Sequence, residues 1–394
     1  MKKQMKVWCL ALGLAVVLLG CGSKSDTVKI GVAGPLTGEQ SKMGTDVLHG
    51  VQLAVDEWNA KGGLWGKTIG GMPNKKIEIV QRDDEAKEQQ AKTVAEELIN
   101  AGVVGIIGHF NSGCTIPASE TYYRNGVPII TPSSTNPKVT ERKDAKTGES
   151  YWNVFRVCGR DDVQGERAAR YVIEKLKAQR VVVIHDKTAY GQGLANYFKA
   201  TIEKLGKPEN IVYYGGFDAK ERNFRPYLSA VQEKNPDVVY FGGIYNQAGL
   251  LVLQMRDLGI NVPFLSGDGV IDPEFLKTAG KSAEGSCLTF AELLPFAAGI
   301  YEKFPAAKKF NEEYQSKFGQ AGPYSVYAYD AANILISSIQ KANSTDGKKI
   351  ADVIHKDEHD CCIGKIRFDQ KGDIIGSFYV IWEVKNGDFS FVEK

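Results

Sequence analysis

The chain has 394 residues, 43% of them hydrophobic, with 49 basic against 47 acidic side chains. So even a balance gives no argument for a polyanionic partner, and nucleic acid is not an expected partner. The length exceeds one ordinary hydrophobic core and predicts two domains.

Residues 1–21 carry Lys2, Lys3 and Lys6, then an apolar run, then LLGC ending at Cys21. This is the pattern of a secretory signal peptide. The apolar run from Val7 to Gly20 holds 14 residues, short of the ~20 that a spanning helix needs. The Leu-Leu-Gly-Cys ending resembles a bacterial lipobox, in which the Cys is lipidated and becomes the mature N-terminus. The expected product is a body in the periplasm or cell envelope, held to a membrane only by lipid on Cys21. Residues 22–27 would form its polar tether.

Beyond the tether the sequence settles into a strand–helix rhythm. Val28, Ile30 and Val32 alternate as a strand that breaks at GPLTG (34–38). Val47, Leu48, Val51, Ala54, Val55 and Trp58 then recur at helical spacing, up to a Lys-Gly-Gly stop at 61–63. Strands are predicted around Ile77 and Ile79, at 103–107, 127–130, 181–184, 211–214, 238–242 and 263–265. Helices are predicted at 87–100, 190–205, 224–234 and 247–258. Strands alternating with helices predict parallel sheets covered on both faces, a doubly wound α/β architecture. Ligands of such sheets sit beyond the carboxyl ends of the strands, so the turns there are the places to look.

The stretch 108–135 supplies two of these turns. One offers Asn111, Ser112, Gly113 and Thr115, the other Ser133, Ser134 and Thr135. Free backbone N–H groups and hydroxyls at such turns suit an anion such as a carboxylate. Read as plain helix caps, the same residues would hold nothing. In the second half the corresponding turns offer His185, Asp186, Lys187 and Tyr190, then Ile244 and Tyr245, then the SGDG turn with Asp268. A nucleophile elbow, a P-loop and an H-E-x-x-H zinc motif are all missing from the sequence. Hydroxyls and amides on one side, with aromatics and one carboxylate on the other, suit a small zwitterion better than they suit catalysis. No cofactor is expected.

Cysteine use is less orderly. Cys114, Cys158, Cys287, Cys361 and Cys362 remain after Cys9 and Cys21 are set aside, and an odd number leaves at least one thiol free. His355 and His359, spaced i, i+4, lie near Cys361 and Asp360. Without a C-x-x-C partner this is read as a solvated helix end with two incidental thiols, and no metal is expected.

The motifs GIIGHFNS, TIPAS, TPSSTNPKVT, VVVIHDKTAYGQGLA, DVVYFGG and GPY occur in order. Together they resemble the leucine/isoleucine/valine-binding protein family, the type I substrate-binding proteins of ABC importers. The likeness runs from about 28 to 389. It implies two α/β lobes joined by three crossovers, placed near 156–160, 290–291 and 365–367. Lobe 1 would then comprise 28–156 plus 291–365, and lobe 2 157–290 plus 366–394. It also implies a monomer that delivers a small amino acid to an ABC permease. By the same resemblance Ser112 and Thr135 hold the ligand's carboxylate and ammonium, flanked by Asn111, Ser133 and Ser134, with Tyr190 reaching in from the other lobe. Asp268 stands where the family has Glu to receive the ammonium. Met43 replaces a Trp, Ile244 replaces an aromatic, and Tyr324 keeps the aromatic of the GPY turn. The family's first-lobe disulfide has no counterpart, its positions being Ala86 and Asn111. The altered pocket leaves open another small polar ligand, such as an amide, urea or an aromatic acid. An envelope enzyme would need a nucleophile–base pair or a metal.

Overall fold

The computed structural model describes residues 27–65, 74–376 and 379–393. The expected signal peptide, Cys21 and the tether up to residue 26 lie outside them. Thr27, taken as the end of the tether, is instead the first residue of a strand and pairs with Lys76.

Five strands form the first sheet: β1 (Thr27–Gly34), β2 (Lys76–Asp83), β3 (Ile106–Gly108), β4 (Ile129–Thr131) and β5 (Val154–Arg156). They run parallel in the order β2-β1-β3-β4-β5. Their cores are Ile and Val, with Ile30, Ile106, Ile107, Ile129 and Ile130 sealed from solvent. Helices α1 (Ser41–Ala60), α2 (Glu88–Asn100) and α3 (Ser112–Arg124) supply the crossovers. Strand β4 begins at Ile129, two residues later than its apolar run predicts. Pro128 has no N–H to give the ladder, so pairing starts when Ile129 N donates to Asn153 O. The run at 103–107 likewise yields a strand only from Ile106, because the chain is still turning through Gly102 (φ +76).

After α4 (Asp161–Arg170) the chain builds β6 (Val181–His185), α5 (Ala189–Leu205), β7 (Ile211–Gly216), α6 (Arg225–Gln232), β8 (Val238–Gly242) and α7 (Tyr245–Asp257). It continues through β9 (Phe264–Ser266), α8 (Pro273–Ala279) and β10 (Cys287–Phe290). It then returns to the first sheet. There α9 (Ile300–Lys303), α10 (Pro305–Phe318), α11 (Ser325–Ala342) and α12 (Gly347–Lys356) precede a small hairpin, β11 (His359–Cys361) and β12 (Gly364–Ile366). Strands β13 (Val380–Lys385) and β14 (Asp388–Glu393) close the second sheet, in the order β14-β13-β10-β9-β8-β6-β7. This C-terminal pair is antiparallel, both to itself and to β10. An all-parallel expectation therefore fails at this edge, where a hairpin needs no crossover helix.

The result is two α/β lobes joined by three crossings, between β5 and α4, between β10 and α9, and between β12 and β13. Helix α11 packs along α1 so closely that a Cβ on Gly50 would sit 2.3 Å from the Ser325 carbonyl oxygen. No helix among the described residues is long and apolar enough to cross a membrane.

All five cysteines among the described residues are unpaired, and every one but Cys361 is buried. The histidine pair does not form a solvated helix end. Helix α12 stops at Lys356, so the two imidazoles share no helix face. His355 packs on Phe155 (4.6 Å between ring centroids), and His359 is buried, with Nε2 3.0 Å from Ile354 O. No cluster of three or more metal-ligating side chains occurs among the described residues.

Candidate ligand-binding cleft

The carboxyl ends of both sheets face each other, and the turns that follow them meet between the lobes. On the first lobe, the turns after β3 and β4 are laced together by hydroxyls. Ser133 Oγ donates to Phe110 O (2.8 Å), and Ser134 Oγ lies 3.0 Å from Phe110 O, 3.1 Å from His109 O and 2.6 Å from Thr115 Oγ1. Thr131 Oγ1 donates to His109 O (2.8 Å). Ser112, the first residue of α3, accepts from the backbone N–H of Asn136 (3.3 Å). Asn111 precedes α3 without capping it; its Nδ2 donates to Gln40 Oε1 (2.8 Å), while its Oδ1 is buried without a partner. The capping alternative does not describe Ser133, Ser134 or Thr135. It is Asn136 that caps the following short turn, by accepting from Lys138 N.

On the second lobe, Tyr190 stands in the first turn of α5 and Asp268 follows β9. Tyr190 Oη donates to Asp268 Oδ1 (2.7 Å) and accepts from Gly269 N (2.9 Å). This approach needs Gly267, because a Cβ there would lie 2.8 Å from the Tyr190 hydroxyl and 2.4 Å from Leu194 Cδ2. Tyr324, at the head of α11 on the first lobe, donates to the other carboxylate oxygen, Oδ2. Phe110 and Phe290 meet the Tyr324 ring edge-on, each at 5.4 Å. Asp268 is 3% exposed. Burial raises its pKa, against the donated bonds of Tyr190 and Tyr324 and the nearby Gln164 amide, which favour the charged form. One buried carboxylate is therefore gripped by tyrosines from both lobes. A second thread crosses between them where Asn136 Nδ2 donates to Ala189 O (2.7 Å).

Two further pocket candidates are Met43 and Ile244. Met43 is buried in the first turn of α1, in the same apolar cluster as Phe110 and Tyr324. Ile244 is half-buried just before α7.

The sequence reading missed a second carboxylate, Asp161. It opens α4 directly after the first crossing and is fully buried, with the Thr135 hydroxyl beside it as a side-chain donor. Its backbone N–H donates to Thr135 O (2.9 Å), which places it against the hydroxyl turn. Burial, then the nearby Asp268 charge, raise its pKa well above the usual carboxylate range. In the sequence Arg160-Asp161-Asp162 offers two adjacent acids at a helix start, and nothing distinguishes them. In the structure Asp162 turns outward to Arg160 (2.9 Å), leaving Asp161 inside.

Two α/β lobes with a polar cleft between opposed sheet edges define a hinged binding protein of the type I kind. The chain belongs to the periplasmic binding protein family, whose profile matches residues 27–388. It is 37% identical over 393 residues to "Leu/Ile/Val-binding protein homolog 2" of Brucella abortus (strain 2308), covering 98% of each chain. Among solved structures it is similar to a leucine binding protein, LivK, from Thermotoga maritima, with 32% identity and a TM-score of 0.81, covering 93% of this chain and 98% of that one. It is also similar to LivJ from Streptococcus pneumoniae in complex with isoleucine, with 28% identity and a TM-score of 0.80, covering 93% of this chain and 100% of that one.

Proposed function

We propose that this protein captures a small neutral amino acid, of the branched-chain kind, between its lobes and delivers it to an ABC importer permease. The observation that carries this reading is Asp268, a buried carboxylate shared by Tyr190 of one lobe and Tyr324 of the other. It lies opposite a turn of hydroxyls and backbone amides. The ligand's carboxylate would lie on Ser112, Thr135 and their flanking residues Asn111, Ser133 and Ser134, where neutral donors hold an anion without an Arg. Its ammonium would face Asp268. Met43 and Ile244, with the Tyr324 ring, would bound the side chain.

In this reading lobe 1 comprises 28–156 plus 291–365, and lobe 2 157–290 plus 366–394. The protein works as a monomer on a lipid tether at Cys21, and it performs no chemistry on its cargo. The names of its Brucella, Thermotoga and Streptococcus relatives support the amino-acid assignment.

The test is heat unfolding of residues 22–394 in the presence of amino acids, amides, urea and benzoate. A ligand at ~100 times its Kd stabilises by about 2.7 kcal/mol, a shift easily read as a change in midpoint. Leucine, isoleucine or valine is expected to give it. A shift with benzoate or an amide alone would replace the amino-acid reading.

A further inference from the structure

Around Asp268 the cleft holds more unsatisfied polarity than one carboxylate explains. Gln164 Oε1 and Tyr240 Oη are buried and unpartnered, and the buried Thr135 hydroxyl and Asp161 carboxylate have little beyond each other. The Thr135 hydroxyl leans toward Asp161, Gln164 lies one helical turn after it, and Tyr240 feels the charges of both Asp161 and Asp268. Orphaned buried polar atoms are rare in folded proteins, because each forfeits its desolvation cost. Several on one wall mark a place built for a polar guest. Resting on the amino-acid reading above, we propose that Asp161 is a second specificity-determining carboxylate, which with Asp268 receives the ligand's protonated amine and gives up its own proton as the amine enters.

The two acids are not equivalent. Asp268 accepts from two tyrosine hydroxyls, which favour its charged form against burial. Asp161 has the Thr135 hydroxyl alone to favour its charge by a side-chain hydrogen bond. Two buried carboxylates in mutual reach do not both ionise cheaply, and the one with fewer donors holds the proton. The groups facing Asp161 give it little relief. Tyr190 and Tyr197 of α5, Tyr240 of β8, Cys158 of the first crossing and Tyr379 before β13 are all neutral. Asp162 adds negative charge beside it, and Arg156, the one cation acting on it, is already engaged by Asp373 and by the carbonyls of Ser134 and Asn136. An entering ammonium supplies the missing positive charge. The Asp161 O–H bond then breaks and its proton passes to the buffer, leaving a carboxylate pair around one cation. An acid without an amine, such as benzoate, cannot drive this exchange.

The experiment is titration calorimetry of wild type and Asp161→Asn with L-leucine, L-valine and L-alanine, in two buffers of different protonation enthalpy. Wild type is expected to release close to one proton per ligand bound, as a carboxylic acid that ionises fully must. Asp161→Asn is expected to release none and to bind roughly tenfold or more weakly. Equal affinity and equal proton release in the two proteins would overturn the role of Asp161 while sparing the amino-acid reading. Binding of benzoate but of no amino acid would overturn both.

A second measurement needs no ligand. A raised folded-state pKa means that the native protein keeps the Asp161 proton above the ordinary value of 3.8, so this residue costs stability as pH rises above it. Asp161→Asn should therefore melt higher than wild type at pH 8, with the gap narrowing toward pH 4. An equal or lower midpoint at pH 8 overturns the proposal.

Discussion

At Asp268 a buried acid is tolerable only because hydroxyls from two directions solvate it. Truncating it leaves Tyr190 and Tyr324 without an acceptor and the guest amine without a counter-charge, losses of about 2–5 kcal/mol for a buried charge pair. Asp268→Ala should therefore weaken amino-acid binding by a hundredfold or so. Met43→Ala removes apolar contact alone. It should lower the melting midpoint, as core truncations do at about 2–5 kcal/mol, yet leave the affinity of the folded protein far less changed. Calorimetry on both variants decides, and equal small losses would remove Asp268 from the site. The contrast rests on chemistry: a lost apolar thioether can be partly covered by relaxation, whereas a missing charge cannot.

At the scale of elements, β5 and the crossing after it depend on one ion pair. Arg156 is fully buried; its Nε contacts Asp373, its Nη1 donates to Ser134 O (2.9 Å) and Asn136 O (3.0 Å), and its Nη2 reaches Thr140 Oγ1. Arg160, on the same crossing, holds the other oxygen of Asp373. Arg156→Ala leaves Asp373 with Arg160 as its remaining cation and takes the donor from the buried Ser134 and Asn136 carbonyls, and should cost about 3–5 kcal/mol in denaturant unfolding. The pH dependence has a definite sign. Burial works against the Asp373 charge, but Arg156 and Arg160 outweigh it and hold the pKa below the ordinary 3.8. The stabilisation is thus present above pH 3.8 and lost as acid passes through the lower folded value. Asp373→Asn should remove that part of the acid transition; an unchanged acid limb would show that the pair is not what ties the crossing to the hydroxyl turn.

Across the whole molecule, Glu39 spans the cleft opening from the loop before α1. Its carboxylate meets Arg222 and Asn246 Nδ2 (3.0 Å) on the second lobe, and its carbonyl accepts from Tyr245 Oη (3.0 Å). Nearby, Lys42 Nζ lies 3.7 Å from Asp272. These contacts join the two lobes, so an opening of the hinge that parts them is opposed without any contact to a guest. The Glu39–Arg222 pair is largely exposed, which limits it to about 1 kcal/mol or less. Glu39→Ala is accordingly expected to weaken ligand affinity about two- to fivefold and to enlarge the scattering radius of the empty protein. An unchanged radius together with unchanged affinity would mean that the latch carries no weight. High salt should mimic the mutation in part.

Much of this was legible in residue order. Apolar runs separated by helical spacing placed β1, α1, β6, α5, β8 and α7 to within a few residues, because buried parallel strands and amphipathic helices write different periods. That the hydroxyl turns, Tyr190 and Asp268 would lie at strand ends facing one cleft was legible for a related reason: doubly wound sheets gather their turns there. Other features had no local signature. The antiparallel β13–β14 edge depends on which strand of the sheet it meets. The burial of His359 depends on a hairpin folding under α12. The distinction between Asp161 and Asp162 depends on a helix entering the cleft with one acid inward and its neighbour outward. Period and composition are properties of a segment, whereas burial, pairing and a shifted proton belong to contacts between segments far apart in the chain, and only the tertiary structure decides them.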